Sequence, residues 1–237
     1  MALEKPIIPT LSIAERDRRW RRLREEMRSA GLDALISLPN QGHWDQFGAD
    51  TRYMTQIGGT QSEVGAVLPL EGEVTAIVRG ANEIEWWGLA QDWVKDIRPS
   101  RRSYGEPVIE RLKEIRAERI GIVGLAGLMR APEGIVPWGT FEKIRAALPK
   151  AKFENATDLM QEVRSVKSAE EIAFIEKAAE IIGQPVQVTT NGVTNTVYLD
   201  PGGSARILTP GGNTIAGTWT SSASPSPALP NAAGHRG

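Results

Sequence analysis

Residues 1–182 of this 237-residue chain predict a three-layer α/β domain with a mixed β-sheet. Short apolar runs alternate along the chain with amphipathic stretches of helical length, which is typical of sheets covered by helices on both faces. One pair of apolar runs is separated by a tight turn and therefore predicts a β-hairpin. Because a hairpin adds antiparallel neighbours, the sheet is expected to be mixed.

The first helix is predicted from Ser12 to Gly31. Ser12 and Glu15 form a capping box at its start, and Gly31 is a typical helix-ending residue. Its apolar face consists of side chains at helical spacing, namely Trp20, Leu23, Met27 and Ala30. A short buried strand is predicted to follow over 34–38.

The hairpin is predicted from strands 64–68 and 74–78 around the turn 69–72. Helices and strands then alternate to the end of the domain. The predicted helices are 82–90, 107–118 and 138–148, and the predicted strands are 94–97, 119–123 and 152–153.

A further helix is predicted from Ser168 to Ile182. Ser168 and Glu171 form a second capping box. One apolar stripe follows at helical spacing and consists of Ile172, Ile175, Ala179 and Ile182.

Composition changes abruptly near residue 183. The chain has 28 basic and 29 acidic residues, but only Asp200, Arg206 and Arg236 lie in residues 183–237. This tail is rich in Gly, Pro, Ser and Thr, and such segments rarely bury enough surface to become ordered. We expect three parts: a domain over 1–165, a linker helix over 166–182, and a largely irregular tail over 183–237.

Short strands are nevertheless predicted within the tail at 186–190 and 196–199. Hairpin turns are predicted around 191–192 and 211–213. No regular structure is expected over 221–230.

Charge and cysteine content exclude several classes of function. The formal net charge of −1 gives no argument for a nucleic-acid or membrane partner, and the basic residues over 16–24 are interleaved with acids. The absence of cysteine excludes disulfides and thiolate chemistry. No segment has the length of a signal peptide core or a membrane span, so a cytoplasmic location is expected.

Three phrases, in this order, resemble the amino-terminal domain of the creatinase, prolidase and aminopeptidase P family: residues 21–36, 50–55 and 164–182. The second phrase is similar to a family strand of pattern N-x-R-Y-L-T-G, with Asp50 in place of Asn and Gln56 in place of Gly. The resemblance covers residues 12–182. It implies a ribonuclease H-like fold and a non-catalytic domain that builds homodimers and lends side chains to a neighbouring subunit's substrate pocket.

The resemblance also implies that catalysis belongs to a following "pita-bread" domain. There two divalent metals, held by two Asp, one His and two Glu, would activate a water for hydrolysis of Xaa-Pro peptides or a small amidino compound. Residues 183–237 contain one acid, Asp200, and one histidine, His235. We therefore expect no catalytic residue, metal site or cofactor in this chain, which would be inactive alone.

The phrase at 191–195 is similar to a P-G-V-T-E phrase near the start of family catalytic domains. Our hypothesis is that the chain is truncated before the catalytic domain. A frameshift, a truncation or a mis-assembled reading frame would have replaced the remaining sequence of that domain.

Candidate substrate-binding residues cluster after the first strand: His43, Trp44, Asp50, Arg52 and Tyr53. They would offer a ring stack, a carboxylate clamp and hydrogen-bond donors to a ligand held with a partner domain. The alternative is a surface loop in which Trp44 packs inward and Arg52 forms an ordinary ion pair.

Trp86, Trp87 and Trp93 are candidate interface residues. Adjacent residues on a helix point about 100° apart, so one of the first two rings is expected outside the local core. An exposed tryptophan is a natural interface anchor. The alternative function is accordingly a free-standing protein-binding or dimerisation module, and the alternative structure has these rings packed inward.

Overall fold

A computed structural model describes residues 10–39, 48–58, 63–127, 131–182, 185–190, 193–200, 204–208 and 214–218. The chain divides into two compact units, residues 1–168 and 169–237. No helix among the described residues has the length and apolarity needed to cross a membrane.

The first unit alternates helices with the strands of one sheet. Its helices are α1 (Ile13–Ala30), α2 (Ala49–Thr55), α3 (Ala81–Ala90), α4 (Gly105–Glu114), α5 (Trp138–Ala147) and α6 (Thr157–Ser165). Its strands are β1 (Ala34–Ser37), β2 (Val64–Pro69), β3 (Thr75–Val78), β4 (Asp96–Pro99), β5 (Arg119–Val123) and β6 (Lys152–Asn155).

The six strands form a mixed sheet in the order β4-β3-β2-β1-β5-β6. Strand β2 is antiparallel to both β1 and β3, whereas the β3–β4, β1–β5 and β5–β6 pairs are parallel. The predicted hairpin and the mixed character of the sheet are therefore confirmed.

Each face of the sheet carries its own hydrophobic core. Strand β1 contributes to both, because alternate side chains point to opposite faces: Leu35 lies in one core, and Ala34 and Ile36 lie in the other. The first core packs against α1, α2 and α6, and the second packs against α4 and α5. This confirms the predicted three-layer α/β architecture.

Helix α1 follows its sequence prediction closely. The Ser12 hydroxyl accepts a hydrogen bond from the Glu15 amide at 3.1 Å, and Gly31 ends the helix in the left-handed region at φ 67°. Leu23 and Met27 are fully buried on its apolar face. The helix is thus fixed by caps at both ends and by burial of one stripe.

The phrase over 50–55 forms a helix, so its resemblance to a family strand predicts the wrong local structure. Helix α2 buries Asp50, Thr51, Tyr53 and Met54, a spacing typical of a helix packed on one side. The Thr55 hydroxyl donates to the Thr51 carbonyl at 2.8 Å. Packing overrides the β propensity of this segment.

Two element boundaries also differ from the sequence prediction. Strand β4 occupies 96–99 rather than 94–97, and α4 covers 105–114 rather than 107–118. Val94 is nevertheless buried, because Gln91 folds the preceding turn by accepting a hydrogen bond from the Val94 amide at 2.8 Å.

The second unit contains one helix and a small sheet among its described residues. Helix α7 is Ala169–Ile182, and the strands are β7 (Pro185–Thr190), β8 (Val193–Asp200), β9 (Ser204–Leu208) and β10 (Thr214–Thr218). They pair in the antiparallel order β10-β9-β8-β7.

The helix from Ser168 and the two predicted tail strands are present in the second unit. The structure also has regular strands at 204–208 and 214–218, which pair antiparallel on either side of the hairpin turn predicted around 211–213. Each run is short, so its strand character depends on pairing with a neighbour rather than on local propensity. Residues 221–230 lie outside the described residues.

A substitution at Gly121 tests how closely β5 packs against its neighbours Leu35 and Ala156. A β-carbon there would lie 2.6 Å from Leu35 Cδ2 and 2.9 Å from Ala156 Cβ. We expect Gly121→Ala to lower the free energy of unfolding by about 1–3 kcal/mol, as overpacking typically does, measured by urea unfolding.

Gly88 provides the matched control for this substitution. A β-carbon at Gly88, within the exposed helix α3, would meet nothing within 4 Å. Gly88→Ala should raise stability by about 0.5–1 kcal/mol through helix propensity. A Gly121→Ala protein as stable as the parent would contradict the close contact of β1, β5 and α6.

Candidate functional site

The parallel strands β1, β5 and β6 end side by side, at Ser37, Val123 and Asn155. We call this surface the carboxyl edge. In open α/β sheets, ligands bind in the crevice outside the carboxyl ends of the strands. The predicted substrate-binding residues follow β1 in the sequence, so the structure of this edge decides which of them can meet a ligand.

Helix α2 is fastened directly to the end of β1. Ser37 Oγ and Thr51 Oγ1 share a buried hydrogen bond of 2.8 Å. Trp20 of α1 donates its indole N–H to the Met54 carbonyl at 2.8 Å. These two bonds hold α2 between the sheet and α1.

Asp50 lies inside the protein, with only 3% of its surface exposed. Its Oδ1 accepts a hydrogen bond from Arg164 Nη1 at 2.5 Å, and Gln161 Nε2 lies 3.5 Å from the same oxygen. Burial raises the pKa of Asp50, although the positive charge and hydrogen bond of Arg164 act in the opposite direction. Asp50 therefore anchors α2 to the last turn of α6 rather than offering a free carboxylate.

Tyr53 is also buried, at 5% exposure. The Arg19 guanidinium lies over its ring, 4.3 Å from the centroid, and over the Trp93 ring at 5.2 Å. Arg19 Nη1 also donates to the Tyr53 carbonyl at 3.3 Å. Tyr53 thus forms one wall of a cation–π cluster and is not presented to solvent.

The charge of Arg19 is matched by Glu15, which is 3% exposed. Arg19 Nε donates to Glu15 Oε1 at 2.8 Å, and Arg18 Nε donates to Glu15 Oε2 at 2.7 Å. Burial raises the pKa of Glu15, but the bonds from Arg18 and Arg19 outweigh it and lower the pKa to about 2.

Arg52 is the exposed member among the described candidates at this edge. It lies between Asp50 and Tyr53 in the sequence, but on the side of α2 turned away from these two buried side chains. Its Cγ lies so close to Gly58 that a β-carbon there would approach within 3.1 Å, and Gly58 has φ 123°. The aliphatic part of Arg52 therefore passes over a backbone position suited to glycine. His43 and Trp44 lie outside the described residues.

The three candidate interface tryptophans have three different environments. Trp86 is 39% exposed, Trp87 packs partly buried against the first core, and Trp93 is 1% exposed. Trp93 donates its indole N–H to the Leu11 carbonyl at 3.0 Å. Trp93 therefore follows the alternative of an inward-packed ring, because the turn before β4 directs its ring beneath Arg19.

Sequence reasoning missed two residues of interest. Arg164 belongs to a quoted family phrase, but nothing in the sequence links it to Asp50 at a separation of 114 residues. Trp138 begins α5 and is 70% exposed. The sequence predicts a helix from Trp138 but carries no signal of this exposure.

No three His, Cys, Asp or Glu side chains approach one another closely enough to hold a metal ion in the parts of the chain that the structure describes. The donor set implied by the family resemblance is therefore not found in these ranges. A cavity of about 320 Å³ lies elsewhere, at the amino ends of β5 and β6. It is lined by Ala117, Glu118, Ala147, Leu148, Pro149, Lys150 and Ala151.

Residues 19–166 match the Creatinase/Prolidase N-terminal domain family, and the chain belongs to this family. No curated protein sequence matches the chain.

Among solved structures, the chain is similar to a Xaa-Pro dipeptidase from Bacillus anthracis, with TM-score 0.54, 18% identity, and coverage of 71% of this chain and 41% of the other. A prolidase from Thermococcus sibiricus gives TM-score 0.51, 19% identity, and coverage of 74% and 43%. The prolidase from Pyrococcus horikoshii gives TM-score 0.50, 14% identity, and coverage of 84% and 64%.

At these identities the similarity establishes the fold alone. The chain spans 41% of the length of the Bacillus anthracis structure that it resembles.

The two buried acids are expected to give opposite pH dependences of stability. Because the pKa of folded Glu15 is about 2 and its ordinary value is 4.5, Glu15 stabilises the fold above pH 4.5, and this contribution is lost as the pH falls towards 2. We expect Glu15→Gln to flatten the loss of stability in that window, measured by urea unfolding at a series of pH values.

Asp50 provides the contrasting case, because its pKa is raised above the ordinary value of 3.8. Its contribution is present below that value and is lost as the pH rises through the folded pKa. Asp50→Asn should remove this loss of stability at rising pH. It should leave unchanged the loss of stability that protonation of Glu15 causes at low pH. Identical pH profiles for the two variants would contradict these assignments.

Arg19 is expected to dominate the stability of this region. Arg19→Ala leaves Glu15 buried with one arginine fewer and removes the cation from two rings. The expected cost is about 3–5 kcal/mol, as for other buried pairs that lose one partner, measured by urea unfolding. Arg21→Ala on the exposed side of α1, where the side chain is 64% exposed, should change stability by less than about 0.5 kcal/mol. Equal effects would contradict the role of the cluster.

Proposed function

We propose that this chain acts as the non-catalytic N-terminal domain of a Xaa-Pro aminopeptidase, prolidase or creatinase-like hydrolase. In this role it serves dimerisation and completes a substrate pocket whose remaining residues lie in a catalytic domain. Membership of the Creatinase/Prolidase N-terminal domain family supports the assignment. The reaction, the substrate and any metal ions of such an enzyme belong to the proposal.

The observation that carries this proposal is the exposure of Arg52 at the carboxyl edge. Its neighbours Asp50 and Tyr53 are both buried and bonded, so α2 presents Arg52 from a fixed base. A guanidinium held in this way binds a carboxylate bidentately at low entropic cost. A Xaa-Pro dipeptide ends in a carboxylate beside its proline ring.

We assign Arg52 the role of a clamp on the ligand's carboxylate, with His43 and Trp44 as the accompanying donor and ring stack. Asp50 and Tyr53 keep a place in the site as residues that hold α2, rather than as direct ligand contacts. This division of roles follows from their burial, at 3% and 5% exposure. Removing the Arg52 guanidinium should therefore weaken binding without unfolding the domain.

The alternative is a free-standing protein-binding or dimerisation module. The observation in its favour is the exposure of large aromatic side chains, with Trp86 at 39% and Trp138 at 70%. Exposed tryptophans are frequent anchors of protein interfaces. Under this alternative, Trp86→Ala abolishes association with a partner, and Arg52→Ala has no effect on any ligand.

A titration with a Xaa-Pro dipeptide tests the proposed clamp on the full chain. We expect Ala-Pro to shift the Arg52 side-chain resonance in ¹H–¹⁵N spectra. The Kd should be on the order of millimolar, because the other residues of the proposed pocket lie in a catalytic domain. The peptide amide, which lacks the carboxylate, should give no shift. Arg52→Ala should abolish the effect, and Arg21→Ala should retain it.

Two results would overturn this proposal. Equal shifts with Ala-Pro and its amide would show that Arg52 does not recognise the peptide carboxylate. Hydrolysis of Ala-Pro by the purified chain, stopped by a chelator, would remove the assignment of a non-catalytic domain.

A further inference from the structure

The six-stranded sheet has two terminal strands, β4 and β6. A terminal strand presents backbone N–H and C=O groups to its open side, and proteins usually block such edges with proline, charge or a covering element. The two edges of this sheet differ in how far they are blocked.

Strand β4 carries a block. The Ser100 amide donates to the Val78 carbonyl at 2.7 Å, so alternate residues of β4 face β3, and Ile97 and Pro99 face outward. Pro99 has no N–H to offer a further strand. Arg98 also holds Asp96 and Glu114, each at 2.8 Å, in a charged network beside this edge.

Strand β6 lacks such a proline. The Lys152 amide donates to the Glu118 carbonyl at 2.7 Å, and the Ala156 amide donates to the Ile122 carbonyl at 2.9 Å. By alternation, Phe153 and Asn155 direct their N–H and C=O groups outward. Lys152 and Asn155 are exposed, as expected for an accessible strand end.

The sequence of β6 is complementary to itself in antiparallel register. When Phe153 faces Phe153 of a second copy, their outward backbone groups form a hydrogen-bonded pair. The same register places Lys152 opposite the partner's Glu154, and Glu154 opposite the partner's Lys152. Two opposite-charge cross-strand pairs therefore form at once, related by the twofold axis.

Exposed apolar surface lies beside the same edge. Phe153 packs edge-on against Phe141 of α5, with 5.5 Å between ring centroids, and Phe141 packs against Trp138 at 6.3 Å. Trp138, the outer member of this row, is 70% exposed. An aromatic row ending in an exposed tryptophan supplies the apolar contact that backbone pairing alone would lack.

We infer that β6 is the dimerisation surface of this chain, and that a second copy pairs with it antiparallel about Phe153 to extend the sheet across a twofold axis. This inference rests on the proposed role in dimerisation and names the surface that carries it. The contact is isologous, so it closes as a dimer instead of propagating.

Charge reversal on the full chain tests this surface. We expect the parent protein to show concentration-dependent dimerisation by size-exclusion chromatography with light scattering. Lys152→Glu places like charges opposite each other twice and should weaken the dimer about tenfold. The double variant Lys152→Glu with Glu154→Lys exchanges the two charges and should restore the dimer.

Thermal unfolding followed by circular dichroism checks that each variant folds. Glu154 also pairs with Arg119 at 2.8 Å on the surface, and losing an exposed pair of this kind has little effect on stability. A Trp86→Ala variant serves as the matched control on another face and should dimerise like the parent.

Cross-linking gives a second readout, because the chain contains no cysteine. Oxidation of a Lys152→Cys, Glu154→Cys double variant should yield a covalent dimer, since facing residues in this register lie within disulfide distance. A dimer that ignores Lys152→Glu and fails to cross-link would overturn the β6 surface while leaving dimerisation intact. A monomer at all concentrations would overturn both.

Discussion

The arrangement of the carboxyl edge depends on one buried cation, the Arg19 guanidinium. A charge removed from water is costly unless it is paired and hydrogen-bonded. Arg19 meets this condition with Glu15 at 2.8 Å, the Tyr53 carbonyl at 3.3 Å, and the rings of Tyr53 and Trp93. These contacts join α1, α2 and the turn before β4, so one side chain specifies how three separate segments meet.

This cluster fixes which side chains of α2 are buried and which are exposed. With Tyr53 under Arg19 and Asp50 bound to Arg164, the buried face of α2 is held by two contacts, and Arg52 lies on its exposed side. Breaking a contact of this kind is costly because it leaves a buried charge unpaired, whereas the net stability that the intact contact contributes is small. Under the proposed function, Arg52 is accordingly a surface group with a fixed base that recognises a negative charge.

The sequence predicts the layers of the fold well, because periodic burial and caps are local signals. Ser12, Glu15 and Gly31 mark α1, and the turn before residue 74 marks the hairpin. The resemblance to a family strand fails over 50–55, where the segment adopts a helix packed against α1 and β2. The sequence also predicts Asp50 and Tyr53 as candidate site residues but does not predict that both are buried. That burial depends on Arg164 and Arg19, which are distant in the chain.

The pair formed by Asp50 and Arg164 spans 114 residues of sequence and therefore bears on the order of folding. The central strand β1 likewise needs β5 as a neighbour. As the chain leaves the ribosome, α1, β1 and α2 are made early, yet the groups that cover them arrive last. We therefore expect the first half of the domain to remain incompletely packed, with Asp50 unpaired, until α6 has been made.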